Sequence, residues 1–164
     1  MRNKPLSKSR NKYAFTALFA LLVTAALPRS VSATLGASES TVETDRLQMQ
    51  GALMRTTRSD AYTMYEVRSA SGILVREYVS PSGVVYGIAW QSEWKPDLKQ
   101  LLGPYFDRYQ QTAQASRLTR KGRGPATIQT PDVIVQVSGH ARAFAGTAYV
   151  TRLLPQGVRP ESIR

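Results

Sequence analysis

The stretch that decides the fold covers residues 61–91 and reads AYTMYEVRSASGILVREYVSPSGVVYGIAWQ. It holds three runs rich in β-branched and aromatic residues, at 61–68, 73–80 and 84–91. Such runs favour β-strands, and the two clusters between them, SASG and PSG, are typical of turns. The pattern therefore predicts a three-stranded antiparallel meander.

The second turn also predicts a strand register. In the sequence SPSG at 80–83, proline stands where its fixed φ suits a type I turn, and glycine stands where a left-handed residue is needed. A tight turn at this point brings Val79 opposite Val85 and Tyr78 opposite Tyr86.

Helices are predicted on both sides of the meander. Residues 34–50 end in a short helix, for which Ser40 and Glu43 have the spacing of a capping box. A second helix begins at the dipeptide PD at 96–97 and follows a stripe of leucines and aromatic residues. The dipeptide GP at 103–104 interrupts this stripe, so we expect a kink or two short pieces.

The last third of the chain predicts a loop and a hairpin. Residues 114–130 are polar and basic and contain glycine and proline, which predicts a flexible basic loop. Strands are expected at 132–138 and around 147–152, with a turn at 139–140. The chain is then an α+β domain, in which one main helix packs on an antiparallel sheet of about five strands, the meander plus the two-strand hairpin. A half-open barrel of about five strands is the alternative.

The N-terminal leader has the three parts of a secretory signal peptide. Its first twelve residues carry five basic residues and no acid, an apolar run follows at 13–27, and VSA at 31–33 supplies small residues for cleavage. The apolar run is shorter than the roughly 20 residues of a transmembrane helix, although an uncleaved anchor is the alternative. We expect export by the general secretion route and cleavage between Ala33 and Thr34. The product is a single periplasmic or secreted domain, 34–164, without a membrane span.

The composition limits the chemistry of the exported part. Six of the 22 basic residues and none of the 11 acids lie in the leader, so the net charge falls from +11 to +5 without it. The basic character is thus partly a translocation signal, and nucleic-acid binding is not expected. Because the chain contains no cysteine, disulfides, thiol catalysis and thiolate zinc sites are excluded. No metal and no other cofactor is expected.

The single histidine, His140, is a candidate for a general base. An acid such as Glu77 would complete the site of a small envelope hydrolase. No nucleophile elbow or Ser-x-x-Lys motif supports this, and a solvated turn histidine is the favoured alternative. Glu77 and Glu66 are expected on neighbouring strands, where Arg68 and Arg76 favour a structural ion pair on a solvated sheet face.

Two further sets of residues are candidates for binding. Aromatic and hairpin residues form a surface for a ligand or partner if one sheet face stays uncovered: Tyr78, Tyr86, Trp90, His140, Arg142 and Phe144. A basic run can hold anions such as lipid head groups: Arg117, Arg120, Lys121 and Arg123. Core packing and a solvated loop are the respective alternatives.

Four segments together resemble one protein family. They are ATLGA at 33–37, VREYVSPSGVV at 75–85, PDL and LLG at 96–103, and GHARAF at 139–144. The family is the domain-of-unknown-function family 2844 (DUF2844), exported proteobacterial proteins of the Burkholderia type. The resemblance implies an exported single domain, and it implies no activity, cofactor or site residue.

The expected function is therefore broad. The leading hypothesis is a non-enzymatic binding or accessory protein of the cell envelope, which contacts an envelope protein or surface component through the sheet and the second hairpin. A small hydrolase that uses His140 and an anion-binding protein that uses the basic run are the alternatives.

Overall fold

The computed structural model describes residues 35–119 and 124–164 of the chain. The predicted signal peptide and the bond between Ala33 and Thr34 lie outside these residues. Among the basic run, Arg120, Lys121 and Arg123 also lie outside them, and Arg117 is described.

The described residues form three α-helices and seven strands, joined by short 3₁₀ turns. In chain order they are α1 (Thr41–Gln48), β1 (Ala52–Arg58), β2 (Thr63–Arg68), β3 (Leu74–Val79), β4 (Val85–Ser92), α2 (Leu98–Leu102), a 3₁₀ turn (Gly103–Tyr105), α3 (Phe106–Thr119), β5 (Ala126–Gln129), β6 (Val133–His140), β7 (Ala143–Val150) and two 3₁₀ turns (Thr151–Leu153 and Pro160–Ser162).

All seven strands join one antiparallel sheet in the order β1-β2-β3-β4-β7-β6-β5. The α+β class and the antiparallel sheet are confirmed, but the predicted number of strands, about five, is wrong, because β1 and β5 were not foreseen. Within the described residues each of these two edge strands pairs with a single neighbour. The sheet is therefore open, and the half-open barrel is not observed.

The meander contains the predicted tight turn and a bulge. Gly83 has φ +75°, and its backbone N–H donates to the carbonyl oxygen of Ser80 at 2.9 Å. Val79 lies opposite Val85 as predicted. One position further the register shifts, so that Tyr78 lies opposite Gly87 and not opposite Tyr86. An extra residue on one strand of a pair produces such a bulge.

The two helical regions follow the prediction in outline. Gly103, at φ +52°, and the 3₁₀ turn after it separate α2 from α3, so the interruption is confirmed. The capping box is wrong, because the side chain of Ser40 makes no capping hydrogen bond and Glu43 instead forms an ion pair with Arg46 at 2.5 Å. The interval 114–130 is not one loop, since α3 extends to Thr119 and β5 begins at Ala126.

Both faces of the sheet are covered over its central strands. The helices cover one face, called here the helix face, around a core that includes Leu35, Val75, Val79, Ile88, Trp90, Leu102, Val135 and Val150. The C-terminal segment covers the opposite face, called here the tail face, where Ile163 packs among Tyr78, Tyr86, Ala89 and Tyr149. The segment after β7 is thus part of the core of the domain.

The helices of the described residues are too short or too polar to cross a membrane.

Candidate functional site

A cleft, called here the α3 cleft, lies between α3 and the β5–β6–β7 half of the sheet. It has a volume of about 510 Å³. Its walls are mostly apolar, and they include Trp90, Leu98, Tyr109, Ile128, Val137 and Phe144. Residues of four strands, β4 to β7, and of both later helices line it, so the cleft depends on how the second half of the chain packs together.

Two glycines on adjacent strands make room for two aromatic rings that line the cleft. Gly146 lies opposite Trp90 on one side and Val137 on the other. A Cβ atom at Gly146 would lie only 2.2 Å from Cζ2 of Trp90, so the indole ring lies directly over this glycine. Likewise, a Cβ atom at Gly139 would lie 2.8 Å from Cδ1 of Phe144. The two rings thus occupy space that side chains would fill elsewhere in a sheet.

Among the residues that the structure describes, two cations border the α3 cleft. Lys95 and Arg117 line both the cleft and a groove that adjoins it along α2 and α3, and both residues are exposed. Burial raises the pKa of Tyr109, and the charge of Arg117 acts in the opposite direction, so the guanidinium lies near the phenol. Within the described residues neither Lys95 nor Arg117 forms an ion pair.

The structure brings three of the sequence-predicted residues together. Trp90, Phe144 and Arg117 all line the α3 cleft. Tyr78 and Tyr86 lie on the tail face beneath the C-terminal segment and take no part in it. Lys95 was not among the predicted residues, although its place just before the helix start at 96–97 was a usable signal.

The other two residues of the predicted surface lie at the turn between β6 and β7. His140 and Arg142 are both exposed, and Arg142 adopts φ +65°. The imidazole Nδ1 lies 3.3 Å from the carbonyl oxygen of Ala141. Neither residue lines the α3 cleft.

His140 and Glu77 are far apart. Glu77 lies in a row of paired residues that continues through Ile88 and Ala148 to Val135, and His140 lies five residues beyond Val135 on β6. Strands about 4.8 Å apart and a rise of about 3.3 Å per residue separate the two by about 20 Å. They do not form an acid–base pair.

Glu77 lies on the helix face and not on a solvated face. It is fully buried between Val75 and Val79 in the alternation of β3, and its carboxyl oxygens have no hydrogen-bond partner among the described residues. Burial, followed by the charge of Asp45 in α1, raises its pKa to about 8. The alternation V-R-E-Y-V at 75–79 was the signal for this burial, because a period of two places the glutamate with the two valines.

The predicted ion pair forms without Glu77. Arg76 donates from Nε to Oε2 of Glu66 across β2 and β3 at 2.7 Å. On β2, the neighbour of Glu77 is Tyr65, whose hydroxyl donates to Oε1 of Glu39. This hydrogen bond is the largest cause of the raised pKa of Tyr65, ahead of burial. Glu39 thus takes part in a local hydrogen bond, and Glu77 is packed in the interior between α1 and the sheet.

No group of three or more His, Cys, Asp or Glu side chains among residues 35–119 and 124–164 is arranged to hold a metal ion. Among the described residues that line the α3 cleft, none is an acid or a histidine. The cleft offers an apolar interior and cationic borders, which suit binding.

The fold and the cleft define an α+β domain with a ligand-sized cleft between a helix and an antiparallel sheet. The chain belongs to the DUF2844 family, described as a protein of unknown function, whose family model matches residues 31–163. No curated protein and no solved structure matches the chain.

Proposed function

We propose that this chain is an exported, non-enzymatic binding protein and that the α3 cleft is its binding site. The observation that carries the proposal is the cleft itself. Its volume of about 510 Å³ lies within the range of small-molecule sites, roughly 300–1,000 Å³. Its aromatic and aliphatic walls suit the apolar body of a ligand, because the transfer of such a body from water into apolar surroundings is favourable.

The proposal of a binding role, and not a hydrolase, rests on the placement of the acid–base candidates. His140 is exposed outside the cleft. Glu77 is buried beneath α1 and does not line the cleft. General acid–base catalysis needs a group within hydrogen-bond reach of the substrate. A ligand in the α3 cleft would have neither residue within reach.

Export is the second part of the proposal. It is supported by the basic, apolar and small-residue parts of the leader and by a family match that begins close to the expected cleavage site, at residue 31. N-terminal sequencing of the protein from the periplasm or the medium should give Thr34 as its first residue. Recovery of the intact chain, with Met1, from the cytosol would contradict export.

The binding site is tested with a neutral apolar fluorophore, N-phenyl-1-naphthylamine, whose emission rises in apolar surroundings. Ala113 of α3 lines the cleft, whereas Ala115 of the same helix is exposed and does not line it. Ala113→Phe should fill the cleft and weaken binding by about tenfold or more, which corresponds to about 1.4 kcal/mol.

Ala115→Phe is the matched control, because it adds the same side chain to the solvent side of the same helix. It should bind the fluorophore as the original chain does. Circular dichroism confirms that both variants fold. Equal binding by both variants, or no binding by the original chain, would contradict the proposed site.

A further inference from the structure

We infer that the ligand of the α3 cleft is an anionic single-chain amphiphile, with its hydrocarbon chain in the cleft and its head group between Lys95 and Arg117. This inference rests on the proposed function and adds the chemical class of the ligand. The head group is a carboxylate or a phosphate monoester, since both present oxygen acceptors to ammonium and guanidinium groups.

The position of the two cations is the first step of the argument. Lys95 lies between β4 and α2, whereas Arg117 lies near the end of α3. Both line the apolar cleft and also its adjoining groove, and both are exposed to solvent. They therefore mark the boundary between the apolar interior and water, which is where the head group of an amphiphile lies.

The charge balance at this boundary is the second step. The ion pairs of the described residues engage Arg46, Arg76, Arg108 and Arg152, so Lys95 and Arg117 keep their charges available. Asp97 also lines the groove, but Oδ1 of its carboxylate accepts the backbone N–H groups of Lys99 and Gln100 at the start of α2. With two cations and one carboxylate, the described residues at the opening carry a net positive charge.

Together these features distinguish an anionic amphiphile from other ligands. A fully apolar ligand would make no use of the cations, and a fully polar anion would leave the aromatic walls without a partner. An amphiphile matches both parts, because its chain is removed from water while its charge stays at the exposed boundary next to opposite charges.

The test compares laurate and dodecyl phosphate with dodecanol, which has the same chain length and no charge. Of the two tryptophans of the chain, Trp90 lines the cleft and Trp94 is 63 % exposed outside it. In a Trp94→Phe background, Trp90 emission therefore reports on the cleft alone. We expect both anions to bind at least about tenfold more tightly than dodecanol at neutral pH and low salt, and this preference should shrink at high salt.

Substitution of the cations tests the head-group site. Lys95→Gln with Arg117→Gln should abolish the preference for the anions over dodecanol. Lys99→Gln is the matched control, because Lys99 is exposed on α2 and does not line the cleft. It should leave the preference as it is. The salt dependence of the original chain provides an independent measurement if the double variant fails to fold.

The outcomes separate this inference from the proposed function. If neither the anions nor dodecanol changes Trp90 emission, the binding site itself is wrong. If all three ligands bind alike, and neither salt nor the double substitution changes this, the cleft binds apolar ligands and the anionic head group is rejected. A preference for laurate alone would identify the head group as a carboxylate. A preference for dodecyl phosphate alone would identify it as a phosphate monoester.

Discussion

Asp45 of α1 and Glu77 of β3 place two fully buried carboxyl groups between the first helix and the sheet. Burial, and after it the charge of Asp45, raises the pKa of Glu77 to about 8. The folded protein therefore holds Glu77 mostly in its protonated form at neutral pH, because a second buried negative charge beside Asp45 is unfavourable.

This relationship predicts how stability depends on pH. The unfolded chain releases the proton of Glu77 near pH 4.5, whereas the folded chain keeps it up to about pH 8. The contribution of Glu77 to the free energy of unfolding is thus fully present below pH 4.5 and falls as the pH rises through this window, by up to about 1.4 kcal/mol per pH unit. Glu77→Gln should remove this pH dependence. The free energy of unfolding of the variant, relative to that of the original chain, should therefore increase with pH.

Urea unfolding, followed by circular dichroism across that window, measures the effect. Glu66→Gln is the control, because Glu66 is paired with Arg76 on the opposite face of the sheet. The control should gain no stability as the pH rises. Parallel pH profiles for the original chain and Glu77→Gln would refute the prediction.

The C-terminal segment makes a second prediction. Ile163 is buried on the tail face, and its Cδ1 would lie 2.8 Å from a Cβ atom at Gly87. Arg164, the residue after Ile163, is also bound to the sheet, because the hydroxyl of Tyr78 donates to its carbonyl oxygen at 2.9 Å. Ile163→Ala should lower the free energy of unfolding by about 2–5 kcal/mol, because it leaves a cavity over β4.

Denaturant unfolding at neutral pH checks this value. Arg159→Ala, in the same segment but exposed, should change the free energy of unfolding by no more than about 0.5 kcal/mol. An equally small effect of Ile163→Ala would show that the segment does not stabilise the sheet.

The sequence predicted the elements whose signals are local. The meander, its turn at 80–83 and the break between α2 and α3 all follow from turn chemistry, proline and glycine within a few residues. β1 gave no such signal, because all of its residues are exposed and alternation arises only where one face of a strand is buried. β5 was not predicted, because it has only four residues and lies within a basic stretch.

The α3 cleft required the tertiary structure. Trp90 and Phe144 were named from the sequence, but their common site depends on the pairing of β4 with β7, which are far apart in the chain. The C-terminal segment gave no local signal of its packing, because its apolar residues follow no regular period. A local window of sequence contains little information about long-range strand pairing or about packing that follows no regular period.

The surface histidine gives a third prediction. His140 is exposed at the turn between β6 and β7 and does not line the α3 cleft. His140→Ala should therefore change the free energy of unfolding by no more than about 0.5 kcal/mol. It should also bind N-phenyl-1-naphthylamine as the original chain does. A clear loss of binding would revive a role for the histidine in the site.

The wall of the α3 cleft gives the last prediction. A Cβ atom at Gly146 would lie 2.5 Å from the carbonyl oxygen of Gln136 as well as against Trp90, so neither the backbone nor the ring leaves room for it. Gly146→Ala should lower the free energy of unfolding by about 1–3 kcal/mol and displace the indole, as overpacking does. Gly124→Ala is the control, because a Cβ atom there meets open space. Unfolding measurements together with Trp90 emission in the Trp94→Phe background follow both effects. If Gly146→Ala is as stable as the control, with unchanged emission, then the indole does not lie over this glycine and does not form this wall of the cleft.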